Sequence, residues 1–384
     1  MDEVEAAAVA IEAARVTQAM KERAHLPMPA EYVALNGRVW PQQLPVRDLL
    51  GIIDAWGTLS RTVLYKLGVE AWGKPHVPPV KMRGAIQAMQ WVRPEIRDTA
   101  RRSANDAILM NYWGRNKVAY AFHPGLAEAL ADTTGSDTVP APVLRMLPHA
   151  NPLFLFPRAF PVVLADGKPG LLRAFFVTGL LPVGGGNHVR TSSDDSEADG
   201  LQLSAFTQVG AVGGKPEDWE LSSVSVPLDG RFTVAEAAER SAQLWDADPD
   251  SSVNMTSAST NAWTRMVLDI CLPALLYACS SEPDVRPEVR PPVRRKGTGK
   301  PPRPAKVREL GYRVGPALLA ARKAPTARPH GTGTGRTVAA HMRKAHWHTF
   351  RFGAGRQQSY VKWLPPISVN PQADGPDKPT VITI

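Results

Sequence analysis

The hydrophobic period of this sequence changes at Lys117, and that change limits the folds open to it. Ahead of Lys117, apolar residues recur at helical spacing. Glu3 to Arg23 reads as an amphipathic helix with Val4, Ala8, Ile11, Val16 and Met20 on one stripe. Val46 to Trp72 reads as a second, through Leu49, Leu50, Ile53, Trp56, Leu64 and Leu67, with Gly51 and Gly57 as candidate breaks. Val80 to Tyr112 gives one or two more, divided at Pro94. After Lys117 come β-rich runs: Val118–Phe122, Leu153–Phe156, Pro161–Ala165, Leu171–Leu181, Leu201–Ala211 and Leu221–Leu228. Most have no helix-length segment between them, so a mixed or antiparallel sheet is expected rather than a doubly wound one. Helices over Thr233–Trp245 and Ser259–Cys279 follow, the second expected to be buried.

The organisation expected from this pattern is α+β. It has a helical N-terminal region (1–116), a β-rich central domain with a buried helix (117–281), a basic Pro-rich linker (282–305), a small α/β C-terminal module (306–370) and a tail (371–384). In the C-terminal module a short strand near Val307–Leu310 and a helix through Gly315–Arg322 precede a hairpin. Charge follows the same division. From Glu282 to the end there are 20 Lys and Arg against 6 Asp and Glu, a balance of +14, so the residues before it carry −5 of the total +9. A basic third on a near-neutral body suits an anionic partner such as nucleic acid, or serves only as a solvated linker. Cys271 and Cys279, eight apart on one helix, cannot bridge within it and read as core thiols of a reduced protein. Asp2, Glu3, Glu5 and Glu12 stand where a secretory signal needs basic and apolar residues. The most apolar stretch, Ala262–Cys279, is interrupted by Arg265, Asp269 and Pro273, so a cytoplasmic protein without a membrane span is expected.

Several motifs invite a phosphate reading and fall short of it. Gly184–Asn187 is followed by Asp194, Asp195, Glu197 and Asp199, which repel phosphate, and Gly331–Gly335 lacks a P-loop lysine. Arg93, Arg97, Arg101 and Arg102 alternate with Glu95 and Asp98 as on a solvated helix face. The stretch from His341 to Asn370 is different, since three histidines and two tryptophans fall within it. His346–Phe352 and Ser359–Leu364 alternate with period two around Gly353-Ala-Gly355-Arg356, which predicts a β-hairpin ended by Pro365-Pro366. His346, His348, Phe350 and Phe352 would share one face, and Trp347, Thr349 and Arg351 the other.

Three chemistries suit these residues. His341, His346 and His348 could gather a metal, but the hairpin supplies no cysteine or carboxylate, and no metal or other cofactor is expected. His346 and His348 are candidate catalytic groups for metal-free RNA cleavage, with Arg343, Lys344, Arg351 or Lys362 stabilising a phosphorane. A binding face for peptide or RNA would use His341, Arg343, Lys344, His346, Trp347, His348, Phe350, Lys362 and Trp363. Alternatively the tryptophans are simply the core of a small module.

Blocks in this C-terminal part carry a family resemblance. Leu275-Leu-Tyr277-Ala-Cys279-Ser280, the Pro-rich basic connector, Val307-Arg-Glu-Leu-Gly311-Tyr-Arg313-Val-Gly315-Pro-Ala-Leu318, Ala345-His346-Trp347-His348 and Lys362-Trp363-Leu-Pro-Pro-Ile-Ser-Val-Asn370 resemble the signature blocks of the AcrVA-two family of anti-CRISPR proteins. The likeness is sharp over roughly the last 110 residues and looser before them. It implies a protein of phages, plasmids and other mobile elements. Such a protein prevents accumulation of the type V-A CRISPR nuclease by recognising its nascent N-terminal peptide, with loss of the mRNA. The implied partners are that peptide and, beyond it, mRNA or the ribosome. A binding or adaptor protein is the leading expectation; a ribonuclease or a nucleic-acid-binding accessory protein are the alternatives.

Overall fold

A computed structural model describes residues 32–35, 38–72, 94–133, 138–164, 166–179, 181–183, 188–190, 200–209, 219–246, 257–286, 305–323, 341–343, 345–356 and 358–369. The expected helix over Glu3–Arg23, residues 80–93, the acidic loop before Gly200, the connector over 287–304, the Gly331–Gly335 stretch and the tail lie outside them. So do the side chains of Arg97, Arg101 and Arg102.

The described part opens on an antiparallel hairpin, β1 (Tyr32–Leu35) and β2 (Arg38–Pro41), inside the region expected to be helical. Helix α1 (Val46–Trp72) places Leu49, Ile52, Ile53 and Trp56 at spacings of three and four, and buries all of them. It runs through Gly51 and Gly57 without a break. A Cβ on Gly57 would stand 2.6 Å from Met110 Cε, so this glycine marks a close approach to α2 (Pro94–Asn116). Pro94, where a break was expected, begins α2, because the first N–H groups of a helix have no internal acceptor to lose. Trp113, fully buried, closes the end of α2 by donating its indole N–H to the Val118 carbonyl at 3.0 Å.

Next come β3 (Val118–Phe122), α3 (Pro124–Ala131), β4 (Val139–Pro140) and a 3-10 turn over Ala141–Met146. Strands β5 (Leu153–Val163), β6 (Pro169–Thr178), β7 (Leu181–Val183), β8 (His188–Arg190), β9 (Gly200–Gln208) and β10 (Trp219–Pro227) follow. β11 (Arg231–Phe232) pairs with β4. Thr233 then caps α4 (Val234–Asp246) reciprocally with Glu236: each backbone N–H donates to the other's side chain, at 2.7 and 3.1 Å. Helix α5 (Ser257–Cys279) leads to β12 (Lys306–Leu310) and α6 (Val314–Lys323). The last strands are β13 (His341–Arg343), β14 (His346–Phe352), β15 (Gln358–Leu364) and β16 (Ile367–Val369).

The architecture is α+β, around a six-stranded mixed sheet in the order β10-β9-β6-β5-β3-β12. β3 runs parallel to both β5 and β12, and the other neighbours are antiparallel. Successive strand residues serve opposite faces. Ala119, Ala121, Leu155, Phe176 and Phe206 face α1 and α2, where Trp56 lies edge-on to Phe206 at 5.3 Å. Tyr120, Phe122, Phe154, Phe156 and Phe175 face α5, with Phe154 and Phe175 stacked at 4.6 Å. Residues Thr260–Cys279 of α5 are long and apolar enough to cross a membrane, but 67% of them are buried as the central helix of this core. Cys271 and Cys279 are both buried and free there, and burial raises both thiol pKa values.

Two expectations need correction. The runs Leu153–Phe156 and Pro161–Ala165 belong to one strand, β5, whose register shifts between Leu155 and Phe160. The bulged part turns outward to residues 42–44: Pro157 accepts from Leu44 N–H and Ala159 donates to the Gln42 carbonyl. The expected central domain and C-terminal module share one sheet, since β12 lies along β3. They also share one core, to which Leu310, Val314, Leu318, Ala345 and Trp363 contribute alongside α5. The buried carboxylate of Asp284 fastens this junction, accepting from the backbone N–H of Arg313 and Val314 and from Arg313 Nε at 2.7–3.0 Å.

Candidate functional site

The expected hairpin forms, with Trp347 directly across from Trp363, His348 from Lys362 and Phe350 from Tyr360. Gly353 and Gly355, at φ 79° and 64°, supply the left-handed backbone that its turn requires. Both indoles therefore lie on the same face, and that face meets the core.

Their environments differ. Trp363 is 3% exposed, edge-on to Tyr277 at 5.7 Å, and donates its indole N–H to Thr133 Oγ1 at 3.0 Å. Thr133 in turn donates to the Ala129 carbonyl at 2.7 Å, so the hairpin is pinned to the end of α3. This residue, expected on a gripping face, is an anchor. Trp347 is half-buried, and its Nε1, sealed from solvent, has no acceptor among the described residues. Together with Thr349 it walls a cleft of about 210 Å³. Leu272, Pro273 and Leu276 of α5, with Val139 and Pro140 of β4, make the cleft mainly apolar. Asp269 is its one ionisable lining residue. Burial pushes that carboxyl's pKa up, partly offset by Arg265. Pro273 has no N–H, so it withdraws the helical donor of the Asp269 carbonyl on the same turn.

The opposite face of the hairpin carries a ring ladder. His348 is exposed and edge-on to Phe350 at 4.4 Å, Phe350 stacks on Tyr360 at 5.2 Å, and Phe352 is 47% exposed. Lys362 donates to Glu282 at 2.8 Å, and this bond holds the Glu282 carboxyl below its usual range. His346 stands across from Leu364, two residues from His348 on the same strand. Of the cations expected to assist an imidazole, Lys362 is thus already paired with a carboxylate. His341 and Arg343 lie on β13, paired with β16, but their side chains are outside the described residues, as is all of Lys344. No group of three His, Cys, Asp or Glu gathers among the described residues.

The sequence reading did not assemble the cleft. Its signal was present in Asp269 and Pro273, spaced four apart in an apolar helix, but those residues argued only against a membrane span. Thr133 carried no signal at all.

The family model of the AcrVA2-like proteins, the anti-CRISPR type V subtype A2 family, matches residues 120–371. The chain belongs to this family. The span matched to the anti-CRISPR family begins in β3 and takes in every residue lining the cleft and both strands of the hairpin. It leaves out α1 and α2. Among solved structures, a crystal structure of AcrVA2 is similar to this chain at 16% identity and a TM-score of 0.46, covering 84% of this chain and 99% of that one. None of the curated proteins compared with the chain matches it.

Proposed function

We propose that this anti-CRISPR family member lowers the level of a type V-A CRISPR nuclease by gripping its nascent N-terminal peptide, with loss of the encoding mRNA. The observation that carries the proposal is the family match over 120–371, which spans the hairpin and the cleft beneath it. The geometry supports peptide as the ligand. At about 210 Å³ the cleft is below the range of roughly 300–1,000 Å³ usual for small-molecule sites, and it suits a side chain of a chain-like ligand. The +14 balance beyond Glu282 suits work beside ribosomal and messenger phosphate.

The test follows the nuclease transcript in cells that make this protein. Recoding the nuclease's first codons synonymously leaves depletion intact, and shifting their reading frame abolishes it. Depletion that ignores the reading frame overturns the proposal in favour of RNA recognition.

One observation favours a second reading, direct RNA cleavage: the exposed His348 sits beside a ring ladder able to stack bases. Under the adaptor reading, His346→Ala with His348→Ala leaves transcript depletion unchanged, and purified protein leaves naked RNA intact. Loss of depletion with retained peptide binding would make the chain the nuclease.

A further inference from the structure

The outer face of the hairpin gathers rings that neither core uses. His348, Phe350, Phe352 and Tyr360 belong to neither of the hydrophobic clusters on the two sides of the sheet. They touch one another instead: His348 is edge-on to Phe350 at 4.4 Å, Phe350 stacks on Tyr360 at 5.2 Å, and Phe352 leans on Tyr360 at 5.7 Å. The Phe350–Tyr360 pair, directly across the two strands, steadies the hairpin. Phe352 extends the ladder beyond that pair and stays 47% exposed, the one aromatic ring among the large exposed hydrophobics described. Residues 351–355 are exposed throughout, so the ladder ends in open solvent. The charge of this stretch is one-sided. Residues 341–370 hold Arg343, Lys344, Arg351, Arg356 and Lys362 and no Asp or Glu. Lys362 is paired with Glu282 at the His348 end of the ladder, whereas exposed Arg351, next to Phe352, pairs with no carboxylate among the described residues.

We propose that this face of the hairpin is a stacking platform for single-stranded nucleic acid, on which unpaired bases lie against Phe352 and the Phe350–Tyr360 pair. Rings and cations without carboxylates are the combination such a strand recognises, since every base has a π-face and every phosphate a negative charge. A second copy of this chain would bring the same cations and be repelled. A duplex keeps its base faces stacked inside and offers the rings nothing to cover. The platform goes beyond the nascent-peptide reading and does not rest on it, because the cleft lies on the Trp347 side of the hairpin and the ladder on the opposite side.

The test measures binding of the full chain by fluorescence anisotropy. The probes are a labelled RNA of about 12 nucleotides without self-complementarity, the same RNA annealed to its complement, and an abasic phosphodiester chain of equal length. The expected result is that the single strand binds about fivefold or more tighter than either of the others. Phe352→Ala, at an exposed position, should remove that margin, and Phe352→Trp, which keeps a ring there, should preserve it. The dependence of affinity on salt should be the same for Phe352→Ala as for the parent, because the ring makes no phosphate contact. Absence of binding, equal binding of the abasic chain, or an affinity unmoved by Phe352→Ala overturns the platform. So does oligoglutamate displacing the RNA more readily than unlabelled RNA does, which would make an acidic peptide the occupant. Reading-frame dependence of transcript depletion is scored separately. If depletion follows the reading frame while the RNA probe does not bind, the platform alone fails. If the RNA probe binds as expected while depletion ignores the reading frame, the nascent-peptide reading fails and the platform survives.

Discussion

On the face of the sheet covered by α1 and α2, the deepest polar groups are bonded, whereas the face covered by α5 keeps some without partners among the described residues. Trp113 Nε1 reaches Val118, and the fully buried Arg173 donates to Gln208 and to the Gln42 carbonyl at 3.1 and 3.0 Å. Across the sheet, Trp263, Thr264 and Trp347 hold buried donors without partners among the described residues. Each such group costs about 1–3 kcal/mol. One face therefore has its deep polar groups bonded, and the other retains buried ones without partners among the described residues. The family match divides the same way, since it covers the α5 face and excludes the two helices on the other.

The largest effect that sharpens this contrast is Trp113→Ala. It removes a fully buried ring from the closed face and should cost about 3–5 kcal/mol in urea unfolding, with peptide selectivity unchanged in the protein that remains folded. A change in selectivity there would break the comparison.

The two hairpin tryptophans then give opposite responses to the same substitution. Trp363→Phe loses the bond to Thr133 and leaves space, so it should destabilise by about 1–3 kcal/mol. Trp347→Phe removes an unmet donor, so stability should stay within about 1 kcal/mol of the parent while peptide binding weakens. Equal losses of stability from both would mean that Trp347 is filling and not a contact.

The smallest effect concerns pH at His123, whose Nδ1 accepts from Gly125 N–H at the start of α3. Burial lowers its pKa in the folded protein, with Glu309 opposing. The unfolded chain therefore binds a proton more readily, and the contribution is complete above about pH 6.5 and lost as pH falls below it. His123→Asn keeps a cap and cannot titrate, so the urea midpoint should fall less on acidification from pH 7 to pH 5.5 than in the parent.

Where the physics is local, the sequence was legible. Alternation from His346 to Leu364 located the hairpin, and the helix expected over Thr233–Trp245 is α4. Distant pairing left no such trace. Nothing near Val307 says that it will lie beside Ala119, and a Pro-rich connector between them reads as a boundary although Asp284 clamps its flank to α6. Pro157 and Pro161 read as the limits of two strands because the bulge that accommodates them pairs with residues far earlier in the chain. Alternation placed Trp347 on a face without saying that Trp363 would share it or which of the two would be sealed. That depended on Thr133 and Tyr277, brought up by other elements.

The late arrival of β12 has a consequence for biosynthesis. β3 is made early and gains its outer neighbour only after Lys306–Leu310 has left the ribosome, because the two strands pair parallel across a long stretch of chain. Until then one border of the growing sheet is unpaired, so prematurely terminated chains should clump through that exposed border more readily than the finished protein.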